Sequence, residues 1–517
     1  MGLGLIRESA RDEKLLPFIM SAFLGIFSLV KFTALLLSIV ALGSSFAYDL
    51  ICKRYQRALI VAGAFALTFT GLWAAVGQNP LNIPAYIANS LEITRGYNQG
   101  EAWQETVTIL TLGLVTVLML IFYSLLYYFT HPEKIKSAFV TLLFGAALYL
   151  QWKHGFLQPN PFHLAGFFVF GLFPLVAFPS LMEDSDLYSM PKNLLLSAAG
   201  AASFLGLYLT MSNLIIFGVL IWPVRLMSNL ESLVELRRLP SIYAERWKTD
   251  QARFSMPNVK REVGDASLDV LGYQQGIALY NQFHYTPRPI FQSHSVYTPA
   301  LIRANTDFYE GPSAPEYVLQ RYQTIVNRFP SLDEARLLNI LFTNYTFVLA
   351  EKGYLLWRKR INGLPNASFV PKPQRDEKTR FNQRIELGEL RRSNVWVTIR
   401  YEPSFLGMIR GLLYKLPIVK LTLFDENAAL GRFNLIGSMA KEGFLINPVI
   451  ENQIDLLRFI AGKLEKRITS FSVNIESSEQ KFYRTAVDVR LYSLPPLSPS
   501  SVRPSDFQAA IPSDAAE

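Results

Sequence analysis

The sequence predicts a membrane-embedded, all-α N-terminal half followed by a C-terminal α+β domain rich in antiparallel, sandwich-like β-structure. Only 18% of the 517 residues are charged, whereas an average soluble domain carries about 25%. The deficit falls in blocks, because four stretches contain no Asp, Glu, Lys or Arg: 58–91, 106–130, 154–182 and 193–224. About 18 or more apolar residues without charge indicate a transmembrane helix. From about residue 265 the charges return and period-two alternation appears, so a soluble single-domain protein is excluded.

The membrane half, residues 1–228, is expected to hold about six or seven transmembrane helices. Residues 15–48 carry one charge, Lys31. They form either one long tilted helix or a short interfacial helix that runs into a span at about 28–48. Further spans are expected at 58–77, 106–130, 137–152 and 162–182. Residues 193–228 leave two alternatives: a hairpin broken at Ser212-Asn213, or a span over 193–211 followed by an amphipathic interfacial helix over 214–236.

The basic segment 52–57 is expected in the cytoplasm, because loops rich in Lys and Arg stay inside. By alternation, residues 78–105 and 153–161 then lie outside as loops, and the acidic segment 183–192 lies inside. The N-terminus shows no cleavage site, so the first apolar segment is expected to remain as an anchor. We favour the second alternative for 193–228, which makes this an inner-membrane protein with an extracytoplasmic C-terminal domain.

The C-terminal half is expected to begin with an interfacial helix and linker over 229–264, continue as a soluble domain over 265–495, and end in a Pro/Ser-rich disordered tail over 496–517. Ser331 and Glu334 have capping-box spacing. Helices are predicted over 314–327, 332–350 and 450–466. Strands are predicted over 395–401, 418–424, 471–475 and 487–492, since their residues alternate.

Composition excludes several kinds of site. The single cysteine, Cys52, cannot form a disulfide framework or a Cys-based zinc site within one chain. The net charge of +9 is spread beside apolar segments, so no nucleic-acid partner is expected. The sequence contains no phosphate-binding loop, nucleophile elbow, HExxH or CxxC motif. We therefore expect no metal and no cofactor.

Two external segments offer candidate groups in the membrane half. Lys153, His154 and His163 lie between two spans, where a lysine can pair with phosphate and a histidine can transfer protons. The alternative is a plain interfacial turn. Glu92 and Glu101 are carboxylates of a predicted external loop and are candidate general bases. The alternative there is a solvated loop with a surface ion pair.

The C-terminal half offers a denser polar segment over 284–307. Arg288 stands between two prolines, whose φ angles are fixed, so its position is restricted. With Gln292 and His294 it is predicted to bind a sugar, phosphate or carboxylate. The alternative is an ordered loop whose polar groups satisfy buried backbone. Residues 431–448 are predicted to form a strand, a turn and an edge strand.

These segments together resemble a group of uncharacterised bacterial multi-pass membrane proteins. That group has an external Lys-x-Gly-Phe-Val-Arg-x-Asp-x-His loop, a Pro-Arg-Pro-Val-Phe-Gln-Ser-Tyr segment and a late Gly-Phe-Leu-x-x-Pro segment. The matching residues are Lys153, Gly155, Phe156 and His163, then 287–294, then 443–448. The Arg and Asp of the loop are replaced by Gln158 and Asn160. The group's layout is similar to that of membrane glycosyltransferases of the GT-C type, which use polyprenyl-phosphate sugars.

The resemblance implies a protein of cell-envelope glycan assembly that transfers a sugar from a lipid-linked donor to a saccharide acceptor. Lys153, His154 and His163 would contact the phosphate or leaving group, with His163 as a proton-transfer group. Arg288, Gln292 and His294 would orient the acceptor, and Glu92 or Glu101 would act as the base. The alternative is a non-enzymatic scaffold or binding protein, which the loss of the loop Arg and Asp favours. A transporter ranks last, because the predicted spans hold almost no polar residues.

Overall fold

The computed structural model describes residues 15–181, 190–234, 236–360, 371–426 and 428–511. The chain divides into two compact units. The first unit comprises Met1–Ser90 and Trp103–Leu226, and the second comprises Leu91–Ala102 and Met227–Glu517. The division after Leu226 lies close to the boundary predicted at residue 228. Residues 91–102, expected within the membrane half, instead pack with the C-terminal unit.

The helices of the first unit follow one another through short turns. They are α1 (Leu15–Ser28), α2 (Phe32–Ile51), α3 (Tyr55–Ala75), α4 (Ile83–Gly100), α5 (Val107–Thr130), α6 (Lys134–Leu157), α7 (Pro161–Leu181) and α8 (Met190–Val234). Within the described part of the chain, five helices are long and apolar enough to cross a membrane: α2, α3, α5, α6 and the first part of α8, Met190–Met211. The prediction of a multi-pass helical half is confirmed at this level. Helix α1 and the segment Pro161–Val176 are apolar but shorter.

Three predictions about this half are sharpened or corrected. Residues 15–48 form two helices, α1 and α2, separated by a turn, rather than one long helix. The break expected at Ser212-Asn213 falls beside Met211, whose φ and ψ of −131° and 26° are not helical. Residues 78–105 were predicted to be a polar loop, and this is wrong because α4 occupies most of that range.

The second unit begins with a five-stranded sheet that the sequence analysis did not predict. Its strands are β1 (Ser267–Leu271), β2 (His284–Tyr285), β3 (Tyr317–Gln320), β4 (Tyr345–Glu351) and β5 (Tyr354–Lys359), in the order β2-β1-β3-β5-β4. Strand β1 runs parallel to β2 and β3, and the remaining pairs are antiparallel. The associated helices are α9 (Leu239–Arg253), α10 (Pro257–Val263), α11 (Gly276–Tyr280), α12 (Pro299–Glu310) and α13 (Ala335–Asn344).

Strand β3 lies in a segment, 314–327, for which a helix was predicted. All four of its residues are buried. A parallel strand that is covered on both faces shows no polar–apolar alternation. The period-two signal is therefore missing, and the prediction of a helix there was wrong.

Two four-stranded antiparallel sheets follow. Their strands are β6 (Lys372–Arg380), β7 (Arg384–Glu386), β8 (Asn394–Arg400), β9 (Lys420–Asp425), β10 (Ala428–Asn434), β11 (Phe444–Asn447), β12 (Ser470–Asn474) and β13 (Ala486–Leu494). One sheet has the order β10-β9-β12-β7 and the other β11-β8-β13-β6. The four predicted strands correspond to β8, β9, β12 and β13, so the antiparallel β-structure is confirmed. Alternating residues of β8, β9 and β12 enter one shared apolar core.

Short helices connect these strands and close the chain: α14 (Phe405–Leu413), α15 (Gly437–Ala440), α16 (Gln453–Ile460) and α17 (Pro504–Ala509). Helix α17 lies in the tail predicted to be disordered. The Ala350 N–H donates to Asp506 Oδ1 at 3.3 Å, and the Gly353 N–H donates to Ala509 O at 2.9 Å. The described part of the tail is therefore ordered against β4 and the turn that follows it.

Candidate functional site

The first unit brings Lys31, His154 and His163 together at one end of its helices, and Lys153 adjoins His154 in the chain. The rings of His154 and His163 lie 4.2 Å apart between centroids, and Lys31 is close enough to interact electrostatically with both. Lys153 precedes His154 on the last turns of α6, and Lys31 directly precedes α2. We call Lys31, Lys153, His154 and His163 the basic cluster. The sequence predicted the last three as candidates but not Lys31, which is distant along the chain.

The orientation of His163 is set by the turn between α6 and α7. Its Nδ1 lies 3.0 Å from Gln158 O, and its backbone N–H donates to Asn160 Oδ1 at 3.0 Å. A carbonyl oxygen only accepts hydrogen bonds, so Nδ1 carries a proton and Nε2 is the accepting nitrogen when the ring is neutral. Within the described residues, no group of three or more His, Cys, Asp or Glu is placed to hold a metal ion. The positive charge of Lys31 beside the two imidazole rings suits the cluster to binding an anion.

Glu92 and Glu101, the two candidate bases, both pack within the second unit. Glu92 accepts a hydrogen bond from Thr298 Oγ1 at 2.7 Å and is about a quarter exposed. Glu101 is buried, with Oε1 3.1 Å from Arg328 Nη2. Burial raises the pKa of Glu101, Arg328 opposes that rise, and Asp333 adds to it. The prediction of a solvent-exposed external loop is wrong for Glu101.

Arg328 holds the segment 91–102 in place. Its Nη2 donates to Gly100 O at 2.6 Å and to Glu101, while its Nη1 donates to His294 O at 3.0 Å and to Asp333 Oδ1 at 3.1 Å. Burial raises the pKa of Asp333, and Arg328 opposes the rise. Nothing in the residue order indicates this contact, because more than 220 positions separate Arg328 from Gly100.

Arg288, the predicted acceptor-binding residue, is fully buried in a second ionic network. Its Nη1 donates to Asp269 Oδ2 at 2.9 Å and to Val270 O at 2.7 Å, and its Nε donates to Glu334 Oε1 at 3.1 Å. Its Nη2 donates to Ser293 Oγ at 2.8 Å. The two prolines do restrict the arginine, but they direct it into the protein. Its assignment to acceptor binding stays a prediction that this burial does not support.

Each of these two arginines faces two carboxyl groups. Arg288 pairs with Asp269 and Glu334, and Arg328 pairs with Glu101 and Asp333. One guanidinium cannot compensate two buried carboxylates fully, and an uncompensated buried charge is unfavourable. This incomplete compensation is clear at Glu334, where burial raises the carboxyl pKa to about 7 although Arg288 opposes the rise.

Glu334 was predicted to complete a capping box with Ser331, and this is wrong. Its carboxylate accepts hydrogen bonds from Arg288 and, at 3.0 Å, from Asn305 Nδ2. The Ser331 hydroxyl donates to Leu445 O instead. Glu334 has a φ of 52° at the start of α13. The carboxyl group is thus directed toward Arg288 rather than to the helix terminus.

A small crevice opens where β1 and β3 end. The strand order β2-β1-β3 makes this a topological switch point, where ligands bind in open α/β sheets. The lining residues are Leu271, Gly272, Ser293, Gln320, Arg321, Tyr322, Gln323, Pro330, Asp333, Glu334 and Leu338. The Gln323 amide nitrogen is buried without a hydrogen-bond partner among the described residues. The crevice therefore combines a carboxyl acceptor with amide and hydroxyl donors.

The other two predicted acceptor-binding residues lie beside this crevice segment but do not line it. Gln292 is exposed. His294 is partly exposed, its ring lies 5.7 Å from that of Tyr273, and its pKa is lowered by burial and by Arg328. The late glycine motif has a structural explanation. Gly443 has a φ of +90°, and a Cβ there would overlap the Trp396 indole nitrogen.

The first unit also contains a buried ion pair that the sequence analysis did not predict. Arg57 Nε lies 3.6 Å from Asp49 Oδ2, and both side chains are less than one-tenth exposed. Arg57 was expected in a solvated cytoplasmic loop. It instead lies in the first turn of α3, against the end of α2.

Comparison with protein families, curated proteins and solved structures finds no match to this chain.

Proposed function

We propose that this chain is a bacterial inner-membrane protein of cell-envelope glycan assembly that binds a lipid-linked phosphate at the basic cluster. The observation that carries the proposal is the proximity of Lys31 to the paired rings of His154 and His163, with Lys153 next to His154 in the chain. Lysine pairs with phosphate as a point charge. A membrane-embedded half gives a polyprenyl chain an apolar environment. The resemblance to membrane glycosyltransferases supports the same ligand class.

The crevice at the ends of β1 and β3 supports a saccharide as the second ligand. Its polar groups include a carboxyl, an amide and a hydroxyl, and a sugar hydroxyl both donates and accepts hydrogen bonds. Glu334, with a pKa of about 7, could accept a proton from such a hydroxyl near neutral pH. Glu92 and Glu101 remain proposed alternatives as the base. The sandwich arrangement of the two antiparallel sheets and the extracytoplasmic side of this unit belong to the same proposal.

A non-enzymatic, membrane-anchored binding protein is the second candidate. The observation that favours it is that Glu101 and Arg288 are both committed to buried ion pairs. Buried side chains such as these contact other parts of the protein and do not reach a saccharide acceptor in the solvent. Both candidates require the lipid phosphate and differ only in whether sugar is transferred.

The binding test uses the full chain in nanodiscs. Polyprenyl phosphate is compared with the polyprenol of the same length, which lacks the phosphate. Losing one charged hydrogen bond costs about 1.5–3 kcal/mol, so Lys31→Ala and Lys153→Ala should each weaken polyprenyl phosphate binding about 10-fold or more. Lys136→Ala is the matched control, because Lys136 lies at the other end of α6 and pairs with Glu133 at 3.2 Å.

Equal binding of the phosphate and the alcohol, or no effect of Lys31→Ala and Lys153→Ala, would overturn the proposal. A second measurement separates the two candidates. The protein is incubated with a polyprenyl-phosphate sugar and a saccharide acceptor, and free polyprenyl phosphate is measured. Release that depends on the basic cluster supports glycosyl transfer, whereas binding without release supports the non-enzymatic candidate.

A further inference from the structure

Helix α14 exposes apolar residues to an unusual extent. Its sequence is Phe-Leu-Gly-Met-Ile-Arg-Gly-Leu-Leu, and Gly407 is its only buried residue. Six of its nine side chains are large, apolar and between 41% and 70% exposed: Phe405, Leu406, Met408, Ile409, Leu412 and Leu413. Single exposed apolar residues are ordinary, but a contiguous patch marks an interaction site. The helix therefore presents an apolar surface outward.

The helix is held in place through its backbone and polar groups. Ser404 caps it, since its Oγ accepts from the Gly407 N–H at 3.1 Å and donates to Lys481 O at 2.7 Å. Gly407 packs against Phe482 O so closely that a Cβ would overlap that oxygen. The Arg410 guanidinium lies 4.3 Å from the Phe482 ring centroid and pairs with Glu479 at 2.8 Å. The apolar residues are thus displayed on an anchored element.

Basic residues surround this surface. Lys481 is exposed and lies 5.3 Å from the ring of Phe482. Arg484 is two-thirds exposed and pairs with Glu402. These groups, together with the partly exposed Arg410 and Glu479, carry a net charge of +1. Apolar residues flanked by Lys and Arg are the composition of an interfacial helix on an anionic membrane.

A short stretch of chain joins the segment that contacts α14 to a candidate membrane span. Asn98 Nδ2 donates to Gly411 O in α14 at 3.0 Å. Nine residues later, at Val107, the chain enters a helix that is long and apolar enough to cross a membrane. A stretch of nine residues extends at most about 30 Å, so the distance between Asn98 and the start of that helix at Val107 is limited to this length.

We propose that α14 inserts its apolar side chains into the headgroup and acyl boundary of the bilayer that the helical unit spans. In this proposal, α14 is a contact of the C-terminal unit with the lipid surface. This contact is independent of the basic cluster, which belongs to the first unit. Three observations agree on a lipid occupant: the exposed apolar residues, the basic flank and the short tether.

The test places a fluorescent label on the full chain in nanodiscs. Cys52→Ser removes the single cysteine, and Met408→Cys then carries an environment-sensitive dye such as NBD. Leu279→Cys is the matched control, because Leu279 is also apolar and about half exposed but lies on α11 of the same unit. The nanodisc lipids include a fraction with bromine or nitroxide on the acyl chains, which quenches dyes at that depth.

At position 408 we expect blue-shifted emission and quenching by these lipids at least about two-fold stronger than at position 279. Emission at 408 that is as red and as unquenched as at 279 would overturn the proposal. Blue-shifted emission without lipid quenching, together with energy transfer between labelled copies, would also overturn it, because a second copy would then cover the helix. The labelled side chain is exposed, so folding of the unit should be unaffected.

Discussion

Glu334→Gln should make the second unit less sensitive to pH over the range where the wild-type loses stability. Glu334 shares the charge of Arg288 with Asp269, and burial raises its pKa from 4.5 to about 7. The folded protein therefore holds this proton more tightly than the unfolded chain. The stabilisation is fully present below about pH 4.5 and is lost as the pH rises through about 7. Glutamine resembles the protonated carboxyl and cannot ionise.

The magnitude follows from the size of the shift. A change of one pKa unit corresponds to 1.36 kcal/mol, so the rise from 4.5 to about 7 corresponds to about 3 kcal/mol of unfolding free energy lost by pH 8. Glu334→Gln should come close to the wild-type at about pH 4, exceed it by somewhat less than about 1 kcal/mol at pH 5 and exceed it by up to about 3 kcal/mol at pH 8. Hydrogen exchange of peptides covering β1 and β3, measured by mass spectrometry and corrected for intrinsic exchange, gives the opening free energy of this unit.

The control variant is Glu310→Gln. Glu310 is exposed at the end of α12, so its loss should leave the pH dependence unchanged. If wild-type protection in β1 and β3 stays constant between pH 5 and 8, Glu334 remains ionised in the fold and the charge-sharing argument fails. The argument also fails if Glu334→Gln lowers protection equally at every pH, because the carboxylate would then be a net stabilising partner of Arg288.

Three further substitutions test the packing of the second unit. Arg328→Met leaves Glu101 and Asp333 buried without their cation, and should cost about 3–5 kcal/mol in the thermal unfolding of the full chain, with exposed Arg303→Met as the control. Tyr309→Phe removes the hydrogen bond to Asp269 at 2.7 Å, and should lower stability by about 1–3 kcal/mol in hydrogen exchange of β1. Gly443→Ala introduces a Cβ at positive φ against Trp396, and an unchanged Tm would contradict the expected loss of more than about 1 kcal/mol.

The sequence predicted those elements whose environment repeats along the chain. A membrane span needs about 20 apolar residues in succession, so α2, α3, α5 and α6 follow from composition alone. Strands β8, β9, β12 and β13 have one apolar and one more polar face, and alternation therefore reveals them. A turn before α7 was also predicted, but Lys153 and His154, which were expected in the loop over 153–161, lie in the last turns of α6.

Tertiary structure decided the elements and contacts that have no local signal. Strand β3 is buried on both faces, so nothing in its four residues distinguishes it from part of a buried helix. The partners of Arg288 lie 19 and 46 residues away, and the partner of Glu101 lies 227 residues away. Ion pairing depends on distance in space, so an exposed and a buried arginine look alike in sequence.

The sequence by itself therefore determined two features of this chain. Its N-terminal half is helical, with helices long and apolar enough to span a membrane, and its C-terminal region contains antiparallel sheets. Only the tertiary structure showed that Arg288 and Glu101 lie in buried ionic networks, that Lys31 joins the histidine pair, and that α14 exposes its apolar residues. The physical reason is that local periodicity records which side of an element is apolar. It does not record which distant residue, or which lipid or ligand, covers that side.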